Sequence, residues 1–131
     1  MAEIPKIFQD LFRKKSFAHL ATTMADGRPQ VTPVWIDFDG QHILVNSATA
    51  RVKDKNMRRD KRVALSIPDP DNPYRYIAVL GEVVAITQDG ADTHIDQLAQ
   101  RYLGKAKYPY RRPGEARVIY KIRPEKVSTH N

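Results

Sequence analysis

Residues 19–40 read HLATTMADGRPQVTPVWIDFDG, and this stretch decides the fold. Two runs rich in β-formers flank Asp26-Gly27, and a second such pair, Asp39-Gly40, closes the stretch. Asp-Gly supplies the positive φ that tight hairpin turns require. The spacing predicts strands over 17–23, 30–38 and 42–47, joined as a meander. Pro33 lies inside the second run. A proline cannot donate to a ladder, so this position reads as an edge, a bulge or a ligand-facing stretch.

Outward from the meander, Ile4, Ile7, Phe8, Leu11 and Phe12 recur at helical spacing, with Pro5 in the first turn. They predict an amphipathic helix over 4–12. Residues 49–60 are charged and lack β-alternation, which predicts a short helix with Thr49 as its N-cap. A fourth strand follows over 63–67. Pro68, Pro70 and Pro73 then predict a loop. Residues 74–87 read as a long fifth strand with Gly81 as a bend or bulge. Ile95, Leu98, Ala99, Tyr102 and Leu103 share one face of a helix over 93–103, with Gly104 at its C-terminal cap. A basic, aromatic loop over 105–114 leads to a sixth strand over 116–123. Six hairpin-connected strands with short helices predict a mainly β protein, a six-stranded antiparallel barrel rather than a doubly wound α/β sheet.

The length, 131 residues, suits a single domain over 1–131. A hydrophobic share of 41% against 28% charged residues fits a folded rather than a disordered chain. Cysteine is absent, which excludes disulfides and thiolate chemistry. No apolar run reaches the ~20 residues of a membrane span, and no signal-peptide pattern opens the chain, so a cytoplasmic location is expected. The net charge of +7 favours anionic partners.

Residues 46–62, NSATARVKDKNMRRDKR, carry the most chemistry. The segment leaves a strand, passes Ser47 and Thr49, and opens a helix bearing Arg51 and Lys53. Amide N–H groups at a helix start, with hydroxyls, a guanidinium and an ammonium, form a phosphate site with a physical basis. Asn56, one turn beyond Lys53, could donate to the same ligand. A solvated basic helix is the competing reading. Trp35 could stack on an aromatic ligand; its alternation with Val31 and Pro33 is equally that of a core or interface residue. The basic, tyrosine-bearing segments 73–76 and 107–112 suit nucleic acid, an exposed loop or a loop closing over a partner subunit. The histidines at 19, 42, 94 and 130 lack metal-ligand spacing, and His19 reads as core or interface. With no nucleophile motif, Walker A or dinucleotide fingerprint, a bound cofactor would have to carry any redox reaction.

Taken with residues 51–83, RVKDKNMRRDKRVALSIPDPDNPYRYIAVLGEV, the chain resembles the pyridoxamine 5′-phosphate oxidase-like split β-barrel superfamily. Within it, the resemblance is to the F-420-dependent flavin/deazaflavin oxidoreductases. The ordered series L-A-T, DG-x-P, P-V-W, R-x-K-x-x-N and NPYRY carries the likeness, over about residues 7–127. The resemblance implies an FMN-binding-like split barrel and a homodimer with two cofactor sites at the subunit interface. It implies phosphate on Arg51, Lys53 and Asn56, the ring system beside Pro33, Val34 and Trp35, and Ser47 and Thr49 between them. It further implies hydride transfer from reduced coenzyme F-420 to an activated double bond of a small organic molecule. FMN is the alternative cofactor, and a non-catalytic cofactor-binding protein the alternative role. Arg58, Arg59, Lys61 and Arg62 suit an anionic cofactor tail. Tyr74 and Tyr76 are the candidate proton donors. An end at Asn131, without a further substrate-binding segment, argues against vitamin B6 oxidation. Neither nucleic acid nor a membrane is an expected partner.

Overall fold

A computed structural model describes residues 2–131. Its seven strands are β1 (Phe17–Thr23), β2 (Pro29–Trp35), β3 (Asp37–Phe38), β4 (Ile43–Ala48), β5 (Arg62–Asp69), β6 (Asn72–Thr87) and β7 (Arg117–His130). They form one sheet in the order β2-β1-β5-β6-β7-β4-β3, and every pair is antiparallel. The sheet curls into a split barrel, and β2 approaches β4 across the gap. Helix α1 (Val52–Arg59) follows β4, and α2 (Ala91–Leu103) follows β6.

Period-2 alternation builds the interior. Ala18 and Leu20 of β1, Leu65 and Ile67 of β5, Ile77 and Val79 of β6, and Tyr120 and Ile122 of β7 all point inward and are buried. Their neighbours point outward, as the pleat requires. The predicted N-terminal helix is a 3-10 helix over Lys6–Phe12, which lays Phe8, Leu11 and Phe12 on the barrel. Ile7 is not on that face; it is 72% exposed, because three residues per turn, rather than 3.6, rotate it away.

Four boundaries differ from expectation. The single strand expected over 30–38 is two, so the sheet has seven strands, not six. Ile36 sits between them, fully buried, with its N–H donating to Tyr102 Oη and its carbonyl accepting from Arg101, both on α2. The helix takes those backbone groups away from the ladder. The helix expected from Thr49 begins at Val52, with Arg51 in the cap position. Ala50 adopts a left-handed φ of 71°, and its N–H donates to Asp54 Oδ2, so Asp54 ties down the chain just before the cap, while the cap residue itself makes no side-chain capping hydrogen bond. The proline-rich loop is a tight hairpin: only Pro70 and Asp71 lie between β5 and β6. Asp69 Oδ1 accepts the Asp71 N–H, and Asn72 Oδ1 that of Tyr74, replacing ladder bonds that prolines cannot make. Finally, β7 runs past Arg123 to His130. A register shift between Leu80 and Gly81 accommodates Pro124, which lies opposite Gly81. The expectation of a bulge at Gly81 holds. A Cβ there would sit 2.7 Å from Ile122 Cγ2 and 2.9 Å from the Arg123 carbonyl oxygen.

Candidate functional site

A cavity of about 170 Å³ opens where β1, β2, β4 and β7 meet the start of α1. Its wall includes Phe17, Pro33, Val34, Trp35, Ile95, Tyr108 and Tyr110; its polar end is Asn46, Ser47, Arg51, Lys53 and Arg117. Six of the eight residues singled out from sequence therefore converge: Pro33, Val34, Trp35, Ser47, Arg51 and Lys53. They come from two segments, 33–35 and 47–53, brought together where β2 approaches β4 across the gap of the barrel.

The remaining two do not line the cavity. Thr49 donates its N–H to the Ala116 carbonyl and lies in a neighbouring groove with Arg51, Arg112 and Glu115. Asn56 is turned into the protein. Its Nδ2 donates to Thr22 Oγ1 and its Oδ1 accepts from Arg59, sealing α1 against β1. Helical spacing put it on the Lys53 side, but beside the fully buried Met57 a polar group must find an internal partner. Arg58, Arg59 and Arg62 are engaged by Asp54, Asn56 and Asp60 and lie outside the cavity. Tyr74 is 79% exposed at the β5–β6 hairpin, and Tyr76 stacks on His130; neither reaches the cavity. His19 is exposed on the outer face of the sheet, opposite Pro33, and so is not a core residue.

Three cations and one carboxylate form the polar end. Arg51 Nη2 lies 3.3 Å from Glu115 Oε1, and Arg117 Nη1 lies 3.3 Å from Glu115 Oε2. Lys53 has no such partner among the described residues. Burial first, and then the positive charges of Arg51 and Arg117, push its ammonium pKa down. Excess positive charge held in a half-buried cavity favours an anion. Among the described residues, the buried Ser47 Oγ makes no hydrogen bond, while the buried Arg117 Nη1 and Glu115 Oε2 meet each other at 3.3 Å as an ion pair outside hydrogen-bond geometry. Buried polar groups without partners are uncommon in folded proteins. A phosphate oxygen is the acceptor this donor set fits, since a guanidinium and a hydroxyl both donate to it.

The apolar end is an aromatic stack. Trp35 lies on Tyr102, centroids 4.9 Å apart and planes within 10°, and meets Tyr108 edge-on at 5.8 Å. The Tyr102 hydroxyl donates to the Ser16 carbonyl and accepts the Ile36 N–H, which fixes the platform to the barrel. Arg117 also lies over the Tyr108 ring at 5.0 Å. Tyr108 and Tyr110 belong to the loop that the sequence left open between nucleic-acid binding, an exposed loop and a loop closing over a partner subunit. Asp96 holds that loop down, accepting from the Tyr108 N–H at 2.8 Å and from Arg111 at 2.9 Å. Sequence reading missed Phe17, Asn46, Ile95, Tyr108, Tyr110 and Arg117 as cavity residues. Only the aromatic and basic character of 105–114 signalled any of them.

The chain matches the family profile of pyridoxamine 5′-phosphate oxidase over residues 4–131. Among solved structures it is similar to an F-420 reductase, with 35% identity, a TM-score of 0.82 and coverage of 95% of this chain and 98% of that one. A pyridoxamine 5′-phosphate oxidase-like protein from Lactobacillus delbrueckii shares the fold at 24% identity and TM-score 0.67, with coverage of 96% and 93%. A hypothetical protein from Mycobacterium tuberculosis does so at 22% identity and TM-score 0.74, with coverage of 100% and 86%. Profile, fold and reductase likeness agree with the curled antiparallel sheet, and the chain belongs to the pyridoxamine 5′-phosphate oxidase family of split β-barrels.

Proposed function

We propose that this protein is an oxidoreductase that binds a phosphate-bearing tricyclic cofactor, coenzyme F-420 in first place and FMN as the alternative. The observation that carries this reading is the pairing, in one cavity, of a cation cluster and the buried, unbonded Ser47 hydroxyl with an aromatic wall. The likeness to an F-420 reductase favours the deazaflavin.

When bound, the reduced cofactor supplies a hydride to the electron-poor carbon of an activated double bond. Arg51, Lys53, Arg117 and Ser47 would hold its phosphate, and the Pro33–Trp35 strand would lie along its ring. Pro33 lies on the edge strand β2, in a non-hydrogen-bonded pair with His19, so its missing N–H falls on the open edge and costs the ladder nothing while the ring presents a flat apolar surface. The aromatic loop around Tyr108 and Tyr110 would exclude water from the ring. Its hydroxyls replace Tyr74 and Tyr76 as the candidate donors of the proton that completes the reduction.

A cavity of about 170 Å³ is smaller than the ~300–1,000 Å³ typical of ligand pockets. The missing wall has a source. Strand register places Trp35 and Phe17, Pro33 and His19, and Val31 and Ala21 side by side on the outer face. The same rows continue through Ala64 and Ser66 to Leu80 and Ala78. Phe17, Val31 and Leu80 are 50%, 58% and 54% exposed. An apolar face contiguous with the cavity wall suits a second copy of this chain, so a homodimer with the site at its interface is part of the proposal.

The test is a parallel titration of the protein with F-420 and FMN, read by quenching of Trp35, the only tryptophan. F-420 binding with weak FMN binding supports the deazaflavin reading, and the reverse moves the protein to FMN. Failure of both below about 100 μM, a binding free energy of about −5.5 kcal/mol, overturns the cofactor proposal.

A further inference from the structure

Behind the cavity lies a polar chain that crosses four elements. Arg117 of β7 donates from Nε to Asn46 Oδ1 of β4 at 3.0 Å. Asn46 Nδ2 faces the Ala91 carbonyl at 2.9 Å and His94 Nδ1 of α2 at 3.1 Å. His94 Nε2 lies 2.9 Å from Asp37 Oδ2 of β3. Asp37 is closed off by Arg101, 2.8 Å from Oδ1, and by the Phe38 N–H.

The donors and acceptors of this chain can be assigned without ambiguity. A guanidinium only donates, so the oxygen of Asn46 must face Arg117. The Asn46 amide nitrogen then faces both Ala91 and His94, and His94 Nδ1 must accept. The proton of His94 therefore sits on Nε2 and is donated to Asp37. His94 is only 7% exposed and does not line the cavity. Its nitrogen fixes which way the Asn46 amide points, and that amide fixes the Arg117 fork. That fork lines the cavity's polar end, where its buried Nη1 meets the Glu115 carboxylate at 3.3 Å without hydrogen-bond geometry.

We propose that His94 is a positioning residue for anion binding: acting through Asn46, it aims Arg117 at the phosphate of the ligand. The inference deepens the cofactor reading and rests on it for the identity of the anion, though not for the existence of the anion site. A purely structural role for His94, tying α2 to β3 through Asp37, makes the opposite prediction about which substitution is tolerated.

Two variants separate the roles. In His94→Asn the side-chain oxygen takes about the place of Nδ1, keeps the bond to Asn46 and gives up Asp37. In His94→Gln the terminal amide takes about the place of Nε2, keeps Asp37 and gives up Asn46. The probe is inorganic phosphate at pH 8, followed by the Nε–H signal of Arg117 in ¹⁵N-labelled protein. Wild type and His94→Asn should show the same saturable shift, and His94→Gln should bind phosphate about fivefold more weakly, the scale for one buried donor losing its partner. If His94→Gln does not fold, Asn46→Ser cuts the same link from the Arg117 side and should give the same loss. Wild-type phosphate response with His94→Gln or Asn46→Ser, the reverse order of the two His94 variants, or no Arg117 shift in the wild type overturns the proposal. Failure of both F-420 and FMN to bind, with the phosphate order intact, would overturn the cofactor reading alone.

Discussion

Replacing Lys53 with methionine separates a binding role from a stabilising one, because the two move in opposite directions. The ammonium is half-buried beside Arg51 and Arg117, both of which disfavour its charge, and no carboxylate among the described residues pairs with it. Methionine keeps the unbranched stem and a similar helix propensity at the first turn of α1. Removing the charge relieves like-charge repulsion worth on the order of 0.5 kcal/mol, the scale of neighbouring surface charges. For a chain of this length that raises the melting temperature by on the order of 2 °C. The same change removes one charged hydrogen bond to a phosphate, about 1.5–3 kcal/mol, and weakens F-420 or FMN binding by roughly 10- to 150-fold. Differential scanning fluorimetry on the ligand-free protein and the Trp35 titration read the two quantities from one preparation. A Lys53→Met protein that is less stable and binds as well as wild type would refute the reasoning, since it would make Lys53 a structural cation.

Other outcomes follow from the packing. Tyr102→Phe should cost about 2 kcal/mol or more in urea denaturation, because the buried Ile36 N–H and Ser16 carbonyl each lose their partner; a cost under 0.5 kcal/mol would contradict that assignment. Gly81→Ala should destabilise by about 1–3 kcal/mol, since the Arg123 carbonyl facing the new Cβ is backbone and cannot swing aside. In acid, Asp37 contributes in a defined window. Burial opposes its ionisation, but the hydrogen bonds from His94 and Arg101 outweigh it and hold the carboxyl at about 2, below its ordinary 3.8. Its contribution, about 2 kcal/mol, is complete above the unfolded value and is lost as pH falls through the folded one. Unfolding free energy measured against pH should therefore fall less steeply from 3.8 to about 2 in Asp37→Asn than in wild type. Equal slopes would remove Asp37 from the acid transition.

Where a local rule governed, the fold was legible in sequence. The Asp26-Gly27 and Asp39-Gly40 turns, the edge position of Pro33 and the α2 face of Ile95, Leu98, Ala99 and Tyr102 all follow from turn chemistry or periodicity. Partners distant in the chain decided the departures. Ile36 leaves the sheet because Tyr102 and Arg101, about 65 residues on, take its backbone. Asn56 turns inward because Thr22 waits there. The cavity shows the same division. Arg51 and Lys53 stand out as charges at a helix start, whereas Arg117 looks like any basic residue in a strand until β7 pairs with β4 and sets it beside Asn46. Its burial and its place in the cavity wall are tertiary facts that spacing does not encode.

A crystal structure of the protein with F-420 or FMN bound tests the central claim most directly. The account predicts the phosphate within hydrogen-bonding distance of Ser47 Oγ and the Arg117 guanidinium, with Arg51 and Lys53 around it. It also predicts the ring along Pro33–Trp35 and a second chain closing the outer side. A phosphate held elsewhere, with Ser47 Oγ still unbonded and the Arg117 guanidinium still meeting only the oxygens of Asn46 and Glu115, would contradict it.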